Sequence, residues 1–398
     1  MRKSETTQRH DFVIRLMLLA ALNSSAVGIC NVTMNIYAVH LGANPTEIGL
    51  VGGISGLGII LTVLPTGYLI DQWGARKIYF WGALVGILIN AFLPLVKTPS
   101  ALIAAATVTG LFMSFRFVSM NTVFLENLKV IGVAKGGWYR GSMAVGYALL
   151  GPLLGAWIIR VLGYTWAFWT AGAFFLAALL VSRLVLPRQG GVRIRTKDAL
   201  IDTVAQWRGL LKNKNVIEAS CAEGLAVAST ACFSTFAVAI TVRVHHLPQE
   251  IGVALVSVQG VLLVLTVFLL GKSLVKLGQR NAYAIGIGAL LIGLLSAANA
   301  GGVGVWIGAV LIGTGAGILN IINMNRLAST EGKKGRLAGF FTLLTTTGSL
   351  LGPVAGGLVA NIAGYQAVFW MLVPLFIVLG VRLFIQQGKA GEEVYAVA

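Results

Sequence analysis

The sequence predicts an all-α membrane protein: twelve transmembrane helices arranged as two six-helix pseudo-repeats, with both termini in the cytoplasm. Three observations carry this. Of the 398 residues, 57% are hydrophobic and 11% charged, whereas a soluble globular chain carries about 25% charged residues. A surface so poor in charge faces lipid rather than water. The basic residues are sorted onto one side of the apolar runs. The chain also repeats itself at a nearly constant offset, and such internal periodicity is read before anything else.

The apolar runs fall at 13–38, 47–69, 78–96, 101–124, 139–160, 164–186, 217–241, 250–272, 281–299, 303–325, 339–361 and 364–385. Each has about 20 residues or more, enough at ~1.5 Å per residue to cross ~30 Å of hydrocarbon. The first begins soon after Arg2 and Lys3, as a cleavable signal would. It is too long for one, and Asp11 and Arg15 interrupt its start, so it reads as the first span.

Twenty-six of the 30 Lys and Arg lie on one side: the N-terminus, the 2–3, 4–5, 6–7, 8–9 and 10–11 connections, and the C-terminus. The opposite side holds Lys97, Arg160 and Arg243, and Arg116 sits inside the fourth span. This is the positive-inside pattern, which sets both termini in the cytoplasm of an inner-membrane protein. The net charge of +17 is therefore a topology signal. Nucleic-acid binding is excluded, and attraction to the lipid bilayer's anionic headgroups follows as a by-product. Cys30, Cys221 and Cys232 fall inside spans, with neither metal-ligand nor disulfide-framework spacing.

The repeat is explicit. GYLIDQWGAR after the second span carries Gly67, Gly74 and Arg76; GKSLVKLGQR after the eighth carries Gly271, Gly278 and Arg280, each pair 204 apart. Gly151, Pro152 and Gly155 match Gly352, Pro353 and Gly356 at an offset of 201, as Gly163-Tyr164 matches Gly364-Tyr365. The expected organisation is a six-helix half over 1–186, a basic linker over 187–216 and a second half over 217–398. Gln206 and Trp207 among the linker's charges suit a short amphipathic helix on the membrane surface. The 50 glycines suit close helix approach in lipid.

Two six-helix repeats, a basic central linker and the 2–3 loop together resemble the major facilitator superfamily over essentially the whole chain. That family's loop motif, Gly-x-Leu-x-Asp-Arg-x-Gly-Arg-Lys, is matched at Gly67, Leu69, Asp71 and Gly74, with Arg76-Lys77 as its basic end; Gln72 and Ala75 depart from it. Gly67 would let the second helix approach a neighbour closely. Asp71 near a helix end would accept hydrogen bonds from a neighbouring helix N-terminus, and Arg76 would pair with it. The resemblance implies a gating latch formed by Gly67, Asp71, Gly74 and Arg76; Val275 stands where the second copy would carry its carboxylate. Gly151, Pro152, Gly352 and Pro353 read as hinge and packing residues, because proline removes a backbone bond and bends a helix. The antiporter pattern Gly-x-x-x-Gly-Pro-x-x-Gly-Gly is whole in the eleventh span, but Tyr147 and Ala156 break it in the fifth.

The resemblance further implies that spans 1, 4, 7 and 10 line a central cavity. Among their polar residues are Asn23, Asn31 and Asn35; Arg116 and Ser119, with Glu126 near the cytoplasmic end; Glu223, Thr230 and Ser234; and Asn320 and Asn323. An intramembrane arginine costs ~2.5–3.5 kcal/mol on insertion scales, so Arg116 faces a bundle interior or a cavity. The family often carries an arginine there, linked to proton coupling or substrate binding; a structural arginine satisfied by carbonyls is the alternative. Glu223 is the candidate proton site, switched by approach to Arg116, with a wet cytoplasmic mouth as the alternative. Glu218, nearer the interface, reads as surface. His40, His245 and His246 read as loop histidines.

No nucleophile–base set, metal spacing or phosphate-cradling loop stands out, so neither an enzyme nor a cofactor is expected. The implied function is secondary transport of a small-molecule substrate by alternating access, coupled to protons, in a monomer. Export is slightly favoured by the Gly-Pro motifs; metabolite uptake and a non-transporting sensor or assembly factor are the alternatives.

Overall fold

The computed structural model describes residues 2–127, 139, 141–187, 213–299, 301–329 and 334–383. The linker over 188–212, with the expected amphipathic helix, lies outside the described residues, as does most of the connection after the fourth span. The described residues form helices and contain no strand. These are α1 (Arg2–His40), α2 (Pro45–Trp73), α3 (Ala75–Phe92) and α4 (Pro99–Glu126). Next come α5 (Gly141–Leu162), α6 (Tyr164–Val185), α7 (Lys214–Arg243) and α8 (Gln249–Leu269). They are followed by α9 (Gln279–Asn299), α10 (Gly302–Ser329), α11 (Lys334–Ala363) and α12 (Ala367–Leu383). A short helix, Gly271–Leu277, joins α8 to α9. Among the described residues, 11 helices are long and apolar enough to cross a membrane, and α12 is shorter.

Two predicted helices are irregular, each at a proline. In α12 a turn follows Ala367–Trp370, and the Leu372 amide bonds back only as far as the Phe369 carbonyl. Pro374 has no N–H to continue the regular ladder there. In α5 the stretch Val145–Leu150 is a π-helical turn directly ahead of Gly151-Pro152.

The chain divides into two compact units, residues 1–43 with 54–199, and residues 44–53 with 200–398. The packing within each follows one plan. In the first unit α1 meets α5 where a Cβ on Gly151 would lie 2.6 Å from the Gly28 Cα, and α2 meets α4 where Ser55 faces Gly110. In the second unit α7 meets α11 at Gly224 with Gly348 and at Ala228 with Gly352, while α8 meets α10 where Gln259 faces Gly313. Lipid offers no hydrophobic drive between helices, so such close backbone approach supplies the packing.

The turn glycines repeat as well. Gly74 and Gly278 have φ of 84° and 82°, and Gly163 and Gly364 have 89° and 86°, a region that penalises any Cβ. Gly67 departs from expectation. A Cβ there would meet nothing within 4 Å among the described residues, so in this conformation it is not a close-approach residue.

Candidate functional site

In the first unit the sharpest feature is Arg116 on α4, 1% exposed. Its stem lies in a groove on α3 that exists because Gly82 and Gly86 lack side chains; a Cβ on Gly82 would come within 3.0 Å of the Arg116 Cγ. One guanidinium nitrogen donates to the Gly82 carbonyl at 3.0 Å. The guanidinium carbon lies 4.1 Å from the Phe175 ring centre, a cation–π contact strengthened by exclusion of water. The Nε and second Nη groups are buried without a partner among the described residues. Arg116 is thus packed inside its unit as an incompletely satisfied cation, with one carbonyl where a purely structural arginine would collect several.

Around it lie the buried Asn23 and Tyr79, whose hydroxyl donates to the Asn23 Oδ1 at 3.5 Å. Ser119 is buried, with its hydroxyl unpartnered among the described residues. Asn31 is half-buried and donates to the Tyr147 hydroxyl at 3.2 Å, and Asn35, one turn on, is buried. Tyr147, the residue that breaks the glycine pattern of α5, sits within the π-helical turn. The wider turn accommodates at 147 a side chain that α11 does not carry at Gly348.

The second unit assembles the other candidates more tightly. Glu223 is 4% exposed. It accepts from Asn320 at 2.6 Å on one carboxylate oxygen and from Asn323 at 2.9 Å on the other. Asn320 and Asn323 are three residues apart on α10, which puts them on one helical face. The Tyr283 hydroxyl on α9 donates to the Asn323 Oδ1 at 2.6 Å. That contact fixes which end of the amide faces the acid, since an oxygen spent on Tyr283 leaves the NH₂ for Glu223. Thr230 stands apart: its hydroxyl is used on its own helix, at the Val227 carbonyl 2.9 Å away.

Glu218 corrects the surface reading. It is 2% exposed and paired with Arg326 at 2.8 Å and Arg382 at 3.5 Å. Arg326 also donates to Asn215 at 2.6 Å. Distance from the span midpoint misjudged it, because tertiary neighbours on α10 and α12 cover the end of α7. Tyr283 was missed too, since tyrosine in an apolar run reads as packing. Its signal was available, because Tyr79 lies at the same place in the first repeat, 204 residues earlier.

At the latch, Gly74 takes its required left-handed turn. Asp71 lies in the last turn of α2, past the membrane span Pro45–Val63, and partial burial pushes its carboxyl above the usual range. Arg76 is half-buried. Of the hinge residues, Pro353 lies inside α11 and Pro152 opens the regular part of α5 after the π-helical turn. Gly151 and Gly352 are interhelical contacts. His40 packs against Tyr164, with ring centres 4.9 Å apart and the planes tilted by 36°.

Apolar helices in repeated bundles, with polar side chains buried among them, define a polytopic membrane protein. The Major Facilitator Superfamily profile matches residues 16–330 and 248–394, and the chain belongs to that superfamily. Over 97% of its length it is 23% identical to the riboflavin transporter RfnT of Brucella anthropi, spanning 99% of that protein. It is 22% identical over 90% of its length to an uncharacterised transporter of the superfamily from Methanocaldococcus jannaschii, covering 94% of it. Among solved structures, the nucleoside transporter NupG shares the fold with a TM-score of 0.75, at 17% identity and covering 94% of this chain and 98% of that one.

Proposed function

We propose that the protein is a proton-coupled secondary carrier of a small, uncharged organic molecule, with Glu223 as the proton-carrying group. The observation behind this is the Glu223 cluster: a buried carboxylate held by two neutral amides, one of them oriented by Tyr283. An isolated carboxylate in low dielectric is costly unless hydrogen-bonded. Moving α7 against α10 would remove both donors, and the acid would then take a proton. Arg116 supplies the complementary charge on the other repeat, and its N–H groups that lack a partner among the described residues would take a substrate oxygen. Asn23, Asn31, Asn35 and Ser119 supply further hydrogen-bonding groups; Thr230 serves as backbone support.

In this reading the halves 1–186 and 217–398, joined by 187–216, carry substrate by alternating access. Gly151, Pro152, Gly352 and Pro353 give α5 and α11 their bends. The Gly67–Arg76 loop latches the cytoplasmic side. The protein works as a monomer in the inner membrane with both termini inside. Chain-long likeness to a riboflavin transporter and a shared fold with a nucleoside transporter make riboflavin and nucleosides the first substrates to try. Both have many hydrogen-bonding groups and no net charge, as suits the neutral candidates Asn23, Asn31, Asn35 and Ser119.

The test is a substrate screen in proteoliposomes containing an internal pH dye. Transport should move protons, and the sign of the pH change separates export by antiport, which the α11 motif favours, from uptake by symport. Glu223→Gln should abolish proton-driven transport while labelled substrate still exchanges by counterflow. Unchanged pH dependence in that variant overturns the assignment of Glu223.

A further inference from the structure

At one end of the first unit, the first two turns of α3 and the last two turns of α6 frame an open crevice of about 400 Å³. Arg76, Lys77 and Arg183 line it together with Phe80, Trp81 and Leu179. No acidic side chain is among the described lining residues. The remaining lining residue, Ser182, is buried and spends its hydroxyl on the Leu179 carbonyl at 2.7 Å.

The order of these groups is informative. On α3, Lys77 and Trp81 are four residues apart and share a face, with the cation at the helix end and the indole one turn deeper. On α6, Leu179 and Arg183 are also four apart and share a face, again with the cation in the final turn and the apolar group one turn deeper. Two walls therefore present the same sequence of chemistry: positive charge at the mouth, then aromatic or aliphatic surface toward the hydrocarbon. Lys77, Trp81 and Arg183 are all exposed, so the groove is open to what surrounds the protein. A soluble anion would use the rim alone and leave the deeper wall unfilled. A molecule with a negatively charged head and an apolar tail matches both levels, and tryptophan is the residue enriched at headgroup depth.

We propose that this crevice seats the phosphodiester headgroup of an anionic phospholipid. Lys77 and Arg183 grip the phosphate, Arg76 adds to the field, and Phe80, Trp81 and Leu179 pack the upper acyl chain. The site is separate from the Asn23–Arg116 cluster and from the Glu223 cluster, and it does not rest on the transport reading.

The experiment uses the full chain in phosphatidylcholine vesicles containing a fixed fraction of lipid brominated on its acyl chains, either phosphatidylglycerol or phosphatidylcholine. Quenching at Trp81 is the difference between the chain and its Trp81→Phe variant. Brominated phosphatidylglycerol should quench Trp81 several-fold more effectively than brominated phosphatidylcholine. Lys77→Gln and Arg183→Gln should each lower that preference, by at most roughly five-fold, and together should abolish it. The charge-keeping pair Lys77→Arg with Arg183→Lys should retain it, which separates loss of charge from loss of fold. Equal quenching by the two lipids overturns the proposal. Release of the quenching by inorganic phosphate at matched ionic strength also overturns it, in favour of a soluble-anion site.

Discussion

The two repeats place their polar groups at matching positions and fill them with opposite chemistry. Tyr79 and Tyr283 are 204 residues apart, as are Gly82 and Gly286, Arg116 and Asn320, and Ser119 and Asn323. Asn23 and Glu223 are 200 apart, the same offset as Gly28 and Ala228, which hold the α1–α5 and α7–α11 contacts. In the first repeat this frame holds a cation with one carbonyl acceptor, one aromatic face and two orphaned N–H groups. In the second it holds an anion whose two oxygens are both satisfied by amides. The difference teaches that the glycines and tyrosines belong to the scaffold, whereas charge is what diverged. One repeat keeps its charged group under-bonded, and the other keeps its charged group saturated.

Four comparisons would break or sharpen that contrast. The largest effect is expected at the second repeat's buried ion pair. Glu218→Gln leaves Arg326 with a lost partner and should cost about 3 kcal/mol, read as early thermal unfolding in detergent. Adding Arg326→Gln should recover much of the loss, and a double variant no better than the single would remove the pair from the account.

Next is the contact at the α11 position matching Tyr147. A Cβ on Gly348 would collide with the Gly224 backbone, so Gly348→Ala should cost about 2 kcal/mol through overpacking. The first repeat already carries Tyr147 at its π-helical turn, so Tyr147→Ala should be far milder in the same melt.

Arg116 should move the other way. Replacing an under-bonded buried charge with Met removes two orphaned donors, each costing ~1–3 kcal/mol. Arg116→Met should therefore match or exceed the parent chain's stability, by about 1 kcal/mol, while transport fails. A destabilised variant would make Arg116 structural instead.

The smallest effect compares the two tyrosines. Interhelical hydrogen bonds in membranes average ~0.6 kcal/mol and reach ~1.7. Tyr283→Phe breaks a 2.6 Å bond to Asn323 and should cost about the average figure, together with loss of proton coupling. Tyr79→Phe breaks a 3.5 Å contact to Asn23 and should be close to neutral. Equal effects would erase the distinction between saturated and under-bonded repeats.

Much of the fold was legible because membrane helices obey a local rule. A span needs ~20 apolar residues wherever it lies in the chain, and repeated turn glycines such as Gly74 and Gly278 announce themselves by position. Glu223, Asn320 and Asn323 were legible as candidates for the same reason, since polar groups in apolar runs are costly. Their partners were less so. Tyr283 and Glu218 carry no cost signal by themselves: one looks like packing and the other like a helix end. The π-helical turn of α5 was not legible either, because Tyr147 reads as a broken motif until the backbone is seen to widen there.

The sequence by itself determined the twelve apolar segments, the repeat and the short list of intramembrane polar residues, because each follows from local hydropathy and periodicity. Tertiary structure alone decided that Arg116 is wedged between Gly82, Gly86 and Phe175, that Tyr283 orients Asn323 toward Glu223, and that Glu218 is buried in an ion pair. The physical reason is the same in each case. A polar side chain's cost is written in its own residue, but its satisfaction depends on which helix face packs opposite, and that is settled only when the helices come together.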